Sequence, residues 1–415
     1  MSRTFFRNKV LHLDLIMLSL MIVSLPSLEA PKNVFLVGYL ITRVISEVIQ
    51  LKQGIKQWKS WDFLFLTIIF SALLSTVFAG FSGLEEWKGY KVFLTALLTG
   101  WFLSRAHYSH NQYRIIFLLI VLAIIPPLLW GLYEYLIIHS KKSLEIHSVG
   151  HVNHSAIYLT MIFGATLGWF INQFNFTKKN EATQLKTLLI GIMSFTLFIA
   201  LIIGQSRGAF GIAILLGVCL LFLAKSVKVR IIGMTIVMLI IISSALLESD
   251  IIQKQIKNQK NDNVLSDRDK VWNVSIEASR FSPLLGIGLS NWHFIKLSQL
   301  QKIVEARGET FNADNYFFPG HSHSLYFSAL VERGIVGLMV TLIFMFYWLY
   351  DLIKTFKWSK KSSTSYMLWT GSLSAWLATF GIGLVNTTFH HEHGILACLF
   401  LGIYLSYTRV FLKTK

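Results

Sequence analysis

The sequence predicts an all-α polytopic membrane protein with about twelve transmembrane helices, and three observations support this fold class. Of its 415 residues, 54% are hydrophobic and only 14% are charged, a composition too apolar for a soluble domain. Apolar windows of roughly 20 residues recur, each long enough to cross about 30 Å of hydrocarbon. Lysine and arginine are concentrated in alternate short connections. The windows lie at 11–28, 33–50, 62–80, 90–104, 115–138, 156–173, 187–204, 208–224, 231–247, 325–353, 365–386 and 394–411.

The distribution of basic residues predicts the orientation, because basic loops resist translocation. One alternating set of connections, which includes both termini, holds 21 Lys and Arg residues, whereas the other short set holds six. We therefore expect a multi-pass protein of the bacterial inner membrane, surrounded by membrane lipids, with both termini in the cytoplasm. The net charge of +17 then reflects topology and does not indicate a nucleic-acid partner.

The chain divides into three predicted regions. Residues 1–247 hold the first nine spans, 248–322 form a long periplasmic loop, and 323–415 hold the last three spans. In the loop, the segment DRDKVWNVSIEASRF has apolar residues at helical spacing, with Asp267 as the candidate N-cap. A second helical stretch is expected from about Trp292 to Val304. The loop is therefore predicted to contain amphipathic helices near the membrane surface.

Two histidines stand where this loop becomes the tenth span. His321 and His323 belong to the segment GHSHSLYF, directly before an apolar run. Imidazole has an unperturbed pKa near 6.5, and a nearby arginine favours its neutral, base-competent form. The alternative is that both rings only cap the helix or anchor it at the interface.

Two arginines are predicted on the same side of the membrane as these histidines. Arg207 lies where the seventh span turns into the eighth, and Arg268 opens the first loop helix. Arginine at a membrane boundary is costly and is usually functional or paired, and a guanidinium can bind phosphate oxygens in a fork. Arg268 could equally be a solvated loop charge. Together with a histidine, the two arginines suit a lipid-linked phosphate and a proton to be removed.

Two further pairs of residues are expected to be structural. Cys219 and Cys398 lie inside apolar windows, which indicates packing and gives no disulfide framework or thiolate metal site. Arg43 and Glu47 are one helical turn apart and are expected to pair.

Four short motifs, taken in their order and spacing, resemble the O-antigen ligase and O-antigen polymerase superfamily. They are QSRGAF at 205–210, SDRDKVW at 266–272, SPLLGIGLSNW at 282–292 and HSLYFSALVERGIVGL at 323–338. The resemblance extends over most of the chain through the number of spans and the position of the loop.

The resemblance implies an inverting glycosyltransferase of the GT-C type that needs no metal and no other cofactor. The donor would be a glycan linked to undecaprenyl diphosphate. In the ligases the acceptor is a lipid A core sugar, and in the polymerases it is another lipid-linked repeat unit. We favour the ligase of lipopolysaccharide biosynthesis, because the main loop is single and modest in length.

The resemblance also implies roles for particular residues. His323 would be the catalytic base, because His323 and Ser324 stand in register with Glu332 and Gly334. His321 would be the second-choice base or a neighbour that orients the first. Arg207 and Arg268 would bind the donor diphosphate and stabilise its negative charge as it departs.

Auxiliary roles are open for several other side chains. Lys270, Trp272 and Trp292 could contact phosphate and sugar, although both tryptophans could equally serve as interfacial anchors. His154, in the run HSVGHVNHSA that opens the sixth span, could line the acceptor side. The run TTFHHEHG, with His390 and His393, could hold a metal, contact the glycan or be solvated.

Two functions from other classes compete with a transferase. A flippase for lipid-linked oligosaccharides would spread polar groups through its spans to line a path. A membrane scaffold would not require two arginines and a histidine at matched depth. The concentration of polar residues in one loop and at its entrances favours an enzyme.

Overall fold

The computed structural model describes residues 3–52, 58–79, 84–146, 148–176, 180–224 and 267–412. It also describes residues 226, 227, 229, 230, 231, 233, 235 and 238. For residues 3–12, 51, 52 and 175 it describes the backbone only. Within this part of the chain the fold is helical, and its only β-type contact is an isolated bridge between Ile146 and Gly150. The helices are α1 Arg3–Ser24, α2 Glu29–Lys52, α3 Ser60–Phe78, α4 Glu85–Ser104, α5 His110–Leu122, α6 Ile125–Tyr133, α7 Val152–Phe176, α8 Glu181–Ile203, α9 Arg207–Leu223, α10 Arg268–Ala278, α11 Leu297–Glu305, α12 Leu325–Ser359, α13 Ser363–Ile382 and α14 His391–Phe411.

Seven helical segments in the described residues are long and apolar enough to cross a membrane. They comprise α2, α3, the α5–α6 pair, α7, α8, α12 and α14. The predicted windows at 11–28 and 208–224 correspond to the shorter apolar helices in α1 and α9, and those at 90–104 and 365–386 correspond to α4 and α13. The window at 231–247 lies almost entirely outside the described residues. The predicted helical, polytopic class is thus confirmed, with seven candidate spans among the described residues against about twelve predicted for the whole chain.

One predicted span is interrupted. The window 115–138 was expected to be continuous, but α5 ends at Leu122 and α6 begins at Ile125, with prolines in its first turn. Proline cannot donate the backbone hydrogen bond that a continuous helix requires, whereas it is well tolerated in a first turn. A π-helical turn at Glu134–Ile138 then completes the crossing.

The loop contains the two predicted helices, with corrections at their starts. Asp267 precedes α10 as expected, but its side chain caps no backbone amide; instead it lies 3.5 Å from the ammonium of Lys270. The second helix begins later than predicted, because Trp292–Phe294 form a 3-10 turn before α11. Residues 248–266 of the predicted loop lie outside the described part of the chain.

Small side chains allow close packing in the bundle. A Cβ atom added at Gly168 of α7 would lie 2.3 Å from the Thr370 hydroxyl of α13, and one at Gly164 would lie 2.4 Å from the Ser374 hydroxyl. Between α4 and α14, a Cβ atom at Gly100 would lie 3.0 Å from Cys398. Close backbone approach is the usual basis of helix association in lipid. The buried Cys398 is therefore a packing residue, as predicted.

Buried ion pairs join four helices at the end of the bundle opposite the loop helices. Arg43 binds Asp14 at 2.9 Å and Glu47 at 2.6 Å, which confirms the predicted pairing of Arg43 with Glu47. Arg105 binds Glu47 at 2.8 Å and Asp62 at 2.9 Å. Because water is excluded there, each charge depends on its partners.

We expect Arg43→Ala to destabilise the fold by about 3–5 kcal/mol, because it leaves the carboxylates of Asp14 and Glu47 buried without this cation. Thermal unfolding in detergent, followed by tryptophan fluorescence, measures the effect. The control is Lys141→Ala, which removes the exposed pair with Glu145 and should cost about 1 kcal/mol or less. Equal shifts in the two variants would contradict the assigned role of the buried pairs.

Candidate active site

The loop segment 283–290 is attached to the start of α12 by backbone hydrogen bonds. The amide of Ile287 donates to the carbonyl of Val331 at 2.9 Å, and the amide of Ile335 donates to the carbonyl of Pro283 at 2.8 Å. Buried amides and carbonyls need such partners. The motif SPLLGIGLSNW and the VERG segment of α12 therefore form one structural unit.

Two glycines make this attachment possible. Gly334 interrupts the regular helix with φ 65° and ψ −169°, and Gly286 has φ 77°. A Cβ atom at Gly334 would lie 2.2 Å from the Leu284 carbonyl oxygen, and one at Gly286 would lie 2.3 Å from the Glu332 carbonyl carbon. Both positions thus require a residue without a side chain and with access to the left-handed region.

Glu332 is fixed at this junction by its backbone and its carboxylate. The Ser75 hydroxyl of α3 donates to the Glu332 carbonyl at 2.6 Å, as does the Gly288 amide at 2.9 Å. One carboxylate oxygen accepts from the Ser290 amide at 3.1 Å. The predicted auxiliary residue Glu332 is therefore bonded directly to the loop.

His323 stands immediately before α12 in a constrained backbone conformation. Its φ is 48°, in the left-handed region, and the next residue, Ser324, is the N-cap of the helix. The Leu325 amide donates to the Gly383 carbonyl at 2.8 Å, which ties this point to the end of α13. The ring centroids of His321 and His323 are 4.2 Å apart. Both predicted histidines therefore lie at one site.

The three residues expected to carry the chemistry interact electrostatically, although they are far apart in the sequence. Burial lowers the pKa of Arg268, and the positive charge of Arg207 lowers it further. Burial also lowers the pKa of His323 to about 4, with further contributions from His321 and from Arg268. At neutral pH the site therefore presents a neutral imidazole within electrostatic range of the Arg268 cation, and Arg268 lies within the same range of Arg207.

The helix α10 places its predicted residues on different faces. Arg268 and Trp272 are one turn apart, and the Trp272 ring lies 5.8 Å from that of Phe327 in α12. Lys270 faces elsewhere and pairs with Asp267. The structure therefore brings Arg268 and Trp272 to α12, but it does not bring Lys270 to the site.

Two further side chains act on the catalytic candidate: Asn386, which no sequence motif indicated, and His151, which belongs to the run HSVGHVNHSA. Asn386, in the connection between α13 and α14, raises the pKa of His323 by hydrogen bonding, and His151 lowers it slightly through charge. Asn386 is buried at a helix end where a polar side chain needs a partner. The burial of Asn386 is the feature that marks it as a site residue, and this burial is visible only in the packed structure.

Two histidine runs that are distant in the sequence meet beside this site. The His154 ring centroid lies 4.9 Å from that of His390, 5.2 Å from His391 and 5.1 Å from His393. In the described part of the chain, no group of three or more His, Cys, Asp or Glu side chains is arranged to hold a metal ion. The metal alternative for the run TTFHHEHG therefore gains no geometric support.

A cavity of about 460 Å³ opens between the loop and the helix ends. Predicted site residues His154, His321 and Glu332 line it, together with residues from α4 and from the turn that precedes α14. Arg207 and Arg268 are not among its lining residues. The arginines and the cavity are therefore separate features that are both close to the histidine pair.

A comparison with known protein families finds a similarity that includes this region. Residues 192–342 match the O-antigen ligase family model. The match confirms the resemblance to the O-antigen ligase and polymerase superfamily, and it runs from α8 to the middle of α12. Arg207, Arg268 and His323 all lie inside this O-antigen ligase region. No curated protein matches the chain.

We expect Gly334→Ala to detach the loop from α12 and to cost about 1–3 kcal/mol, because alanine is strained at this φ and meets the Leu284 carbonyl. Limited proteolysis within 283–290 should become faster, and the unfolding temperature in detergent should fall. Gly211→Ala in α9 is the control, since an added Cβ there has no heavy atom within 4 Å. Unchanged proteolysis in Gly334→Ala would contradict the role assigned to the glycine.

Proposed function

We propose that this chain is an O-antigen ligase, which transfers a glycan from undecaprenyl diphosphate to the lipid A core with inversion at the anomeric carbon. The family match supports activity of the ligase and polymerase type on a lipid-linked glycan. The observation that carries the proposal is that Arg207, Arg268 and His323 lie within electrostatic range of one another, Arg207 acting on Arg268 and Arg268 acting on His323.

The two arginines form the proposed donor site. The two positive charges repel each other, and a diphosphate between them attracts both and offsets that repulsion. Guanidinium groups bind phosphate oxygens in a fork, so the pair also orients the donor. Negative charge grows on the diphosphate as the sugar leaves, and the cations therefore stabilise the transition state more than the bound donor.

His323 is the proposed general base. An acceptor hydroxyl attacks the anomeric carbon from the face opposite the diphosphate, so that a new carbon–oxygen bond forms as the bond to phosphate breaks. The hydroxyl proton passes to the neutral imidazole of His323, and the electron pair of the broken bond leaves with the lipid diphosphate. Diphosphate is already a stable anion, so no general acid is required. Burial and the adjacent Arg268 keep His323 neutral before the reaction.

In this proposal, fixed guanidinium charges stabilise the departing diphosphate, as a divalent cation does in other diphosphate-dependent transferases. Arg268 is half-buried, and its Nε atom has no hydrogen-bond partner among the described residues. Arg207 at the start of α9 is exposed and accessible to a membrane-bound donor. We therefore propose turnover that persists when divalent ions are chelated.

The proposed site faces the periplasm of the bacterial inner membrane, as in a GT-C-type enzyme. It lies at the end of the bundle where α9, α12 and α14 begin. The connections rich in Lys and Arg lie at the other end, which the positive-inside rule assigns to the cytoplasm. The donor lipid would then remain in the outer leaflet while its diphosphate reaches Arg207.

The polymerase of the same superfamily is the alternative, and it differs in its acceptor. Purified protein supplied with glycan on undecaprenyl diphosphate and with lipid A core tests the choice in the presence of a chelator. Ligated lipid A core supports the ligase, whereas lengthened lipid-linked polymer without ligated product supports the polymerase. Movement of the donor lipid across vesicles without either product would support a flippase.

We expect His323→Ala to lower kcat by about 10²–10⁴-fold, the usual contribution of a general base. Donor binding, measured in the absence of acceptor, should be retained. The control is His139→Asn, because His139 is exposed, contacts its own helix, and has a left-handed φ that asparagine tolerates. If His321→Ala abolished turnover and His323→Ala did not, the base would be His321.

The pH dependence tests the effect of Arg268 on the base. Because His323 must be neutral, kcat/KM should fall as the pH drops toward about 4, below the ordinary histidine pKa. Arg268→Gln removes a positive charge and should move this acidic limb to higher pH, with about a 10²-fold loss of kcat/KM. Arg268→Lys retains the charge and should retain the acidic limb. An acidic limb that is identical in Arg268→Gln and the unmodified protein would contradict the electrostatic interaction between Arg268 and His323.

A further inference from the structure

The cavity beside the histidine pair has the lining of a carbohydrate site. Its volume of about 460 Å³ lies within the range of about 300–1,000 Å³ that is typical of small-molecule pockets. Imidazoles, hydroxyls and aromatic rings surround it. Those that carry the argument are His154, His321, His390, His391, Ser290 and Trp292.

The imidazoles of this cavity come from three separate parts of the chain. His154 belongs to the first turn of α7, His321 to the loop, and His390 and His391 to the start of α14. The His390 and His391 ring centroids are 4.4 Å apart, and His154 lies within 5.2 Å of both. Several rings thus converge on one space without forming a metal site among the described residues.

These rings are suited to hydroxyl groups because they are neutral. Burial lowers the pKa of His390 well below its ordinary value, and burial also lowers that of His321. A neutral imidazole has one donor nitrogen and one acceptor nitrogen, which match the donor and acceptor capacity of a sugar hydroxyl. Within the described structure, His390 Nδ1 and Trp292 Nε1 are buried and have no hydrogen-bond partner.

The charges around the cavity give no preference for an anionic ligand. Lys88 pairs with Glu85 at 2.5 Å. Arg333 donates to the Thr341 hydroxyl at 2.9 Å, and its guanidinium lies 4.7 Å from the centre of the Phe93 ring. Each of these cations has an acidic neighbour that also lines the cavity: Glu85 pairs with Lys88, and Glu332 interacts electrostatically with Arg333. The lining therefore carries no surplus positive charge that would select a phosphorylated or carboxylated sugar over a neutral one.

The cavity adjoins the proposed base through His321. That residue lines the cavity, and its ring centroid is 4.2 Å from that of His323. The arginines that interact with His323 do not line the cavity. A ligand in the cavity and an anion at the arginines would therefore approach the histidine pair from different directions.

We propose that this cavity is the acceptor subsite, and that it binds the terminal sugar of the acceptor as a neutral, hydroxyl-rich pyranose held by His154, His390 and His391. The inference rests on the proposed function in assigning the sugar to the acceptor. The bound sugar presents one hydroxyl to His323, and the ring of Trp292 provides an apolar surface for the sugar face.

Histidine footprinting tests the subsite without requiring turnover or donor. Diethyl pyrocarbonate modifies neutral, accessible imidazoles, and mass spectrometry assigns each modified residue. The probes are four neutral disaccharides at tens of millimolar, namely lactose, maltose, cellobiose and N-acetyllactosamine, with glucose 6-phosphate as the anionic comparison. We expect at least one neutral disaccharide to reduce the modification of His321 and His391 several-fold, while glucose 6-phosphate does not and His139 is modified equally throughout.

Two variants make the test specific. His154→Phe keeps an aromatic ring at this position but removes the ring nitrogens, and it should abolish most of the protection of His321. His391→Asn, at an exposed position with φ 49°, should weaken the same protection, and asparagine tolerates that backbone. Equal modification of His139 shows that the reagent acts equally in both variants, and an unchanged unfolding temperature in detergent shows that the fold is intact.

The outcomes separate this inference from the proposed function. Absence of protection by every neutral disaccharide, or equal protection in His154→Phe, would overturn the subsite even if the protein transfers glycan to lipid A core. Equal protection by glucose 6-phosphate and by a neutral disaccharide would overturn the proposal that the subsite selects a neutral sugar. Protection together with failure of all glycan transfer would refute the proposed ligase and retain the carbohydrate site.

Discussion

The backbone pairing between loop segment 283–290 and the interrupted start of α12 is the contact on which the site depends. A helix that departs from regular geometry at Gly334 loses internal hydrogen bonds, and in a membrane protein those groups need other partners. The loop supplies them through Pro283 and Ile287. The same pairing fixes Glu332 and joins the loop to the helix whose N-terminus follows His323. The loop helices are thereby held against the bundle at the point where the chemistry is proposed.

Burial shifts the pKa of the arginine and of the histidine at this site in the same direction, but the two residues end in different protonation states. It lowers the pKa of both Arg268 and His323. The arginine remains a cation because its ordinary pKa is so high, whereas the histidine becomes neutral throughout the physiological range. One environment thus maintains both the cation and the neutral imidazole that the proposed reaction requires. Arg207 adds positive charge near Arg268, and Arg268 still remains a cation while His323 remains neutral.

Much of the fold could be predicted because span length and apolar composition are local properties. The windows that produced α2, α7 and α12 needed only hydropathy, and the segment that produced α10 needed only helical spacing. The break before α6 and the failure of Asp267 to cap α10 depend on details of backbone geometry that periodicity does not record. At the site, His323 and Arg268 could be selected from short motifs. Asn386 could not, because nothing in its own segment distinguishes it from other polar residues at helix ends.

The sequence by itself determined that this is a helical membrane protein, where its basic connections lie, and which arginines and histidines occur in motifs of the O-antigen ligase region. These follow from the residue order alone, since hydrocarbon thickness and the cost of burying charge act on each segment separately. Only the tertiary structure decided that His154 meets His390 and that Lys270 turns away from the site. Contacts between residues more than 200 positions apart depend on how helices pack, and packing is decided by the shapes of many side chains together.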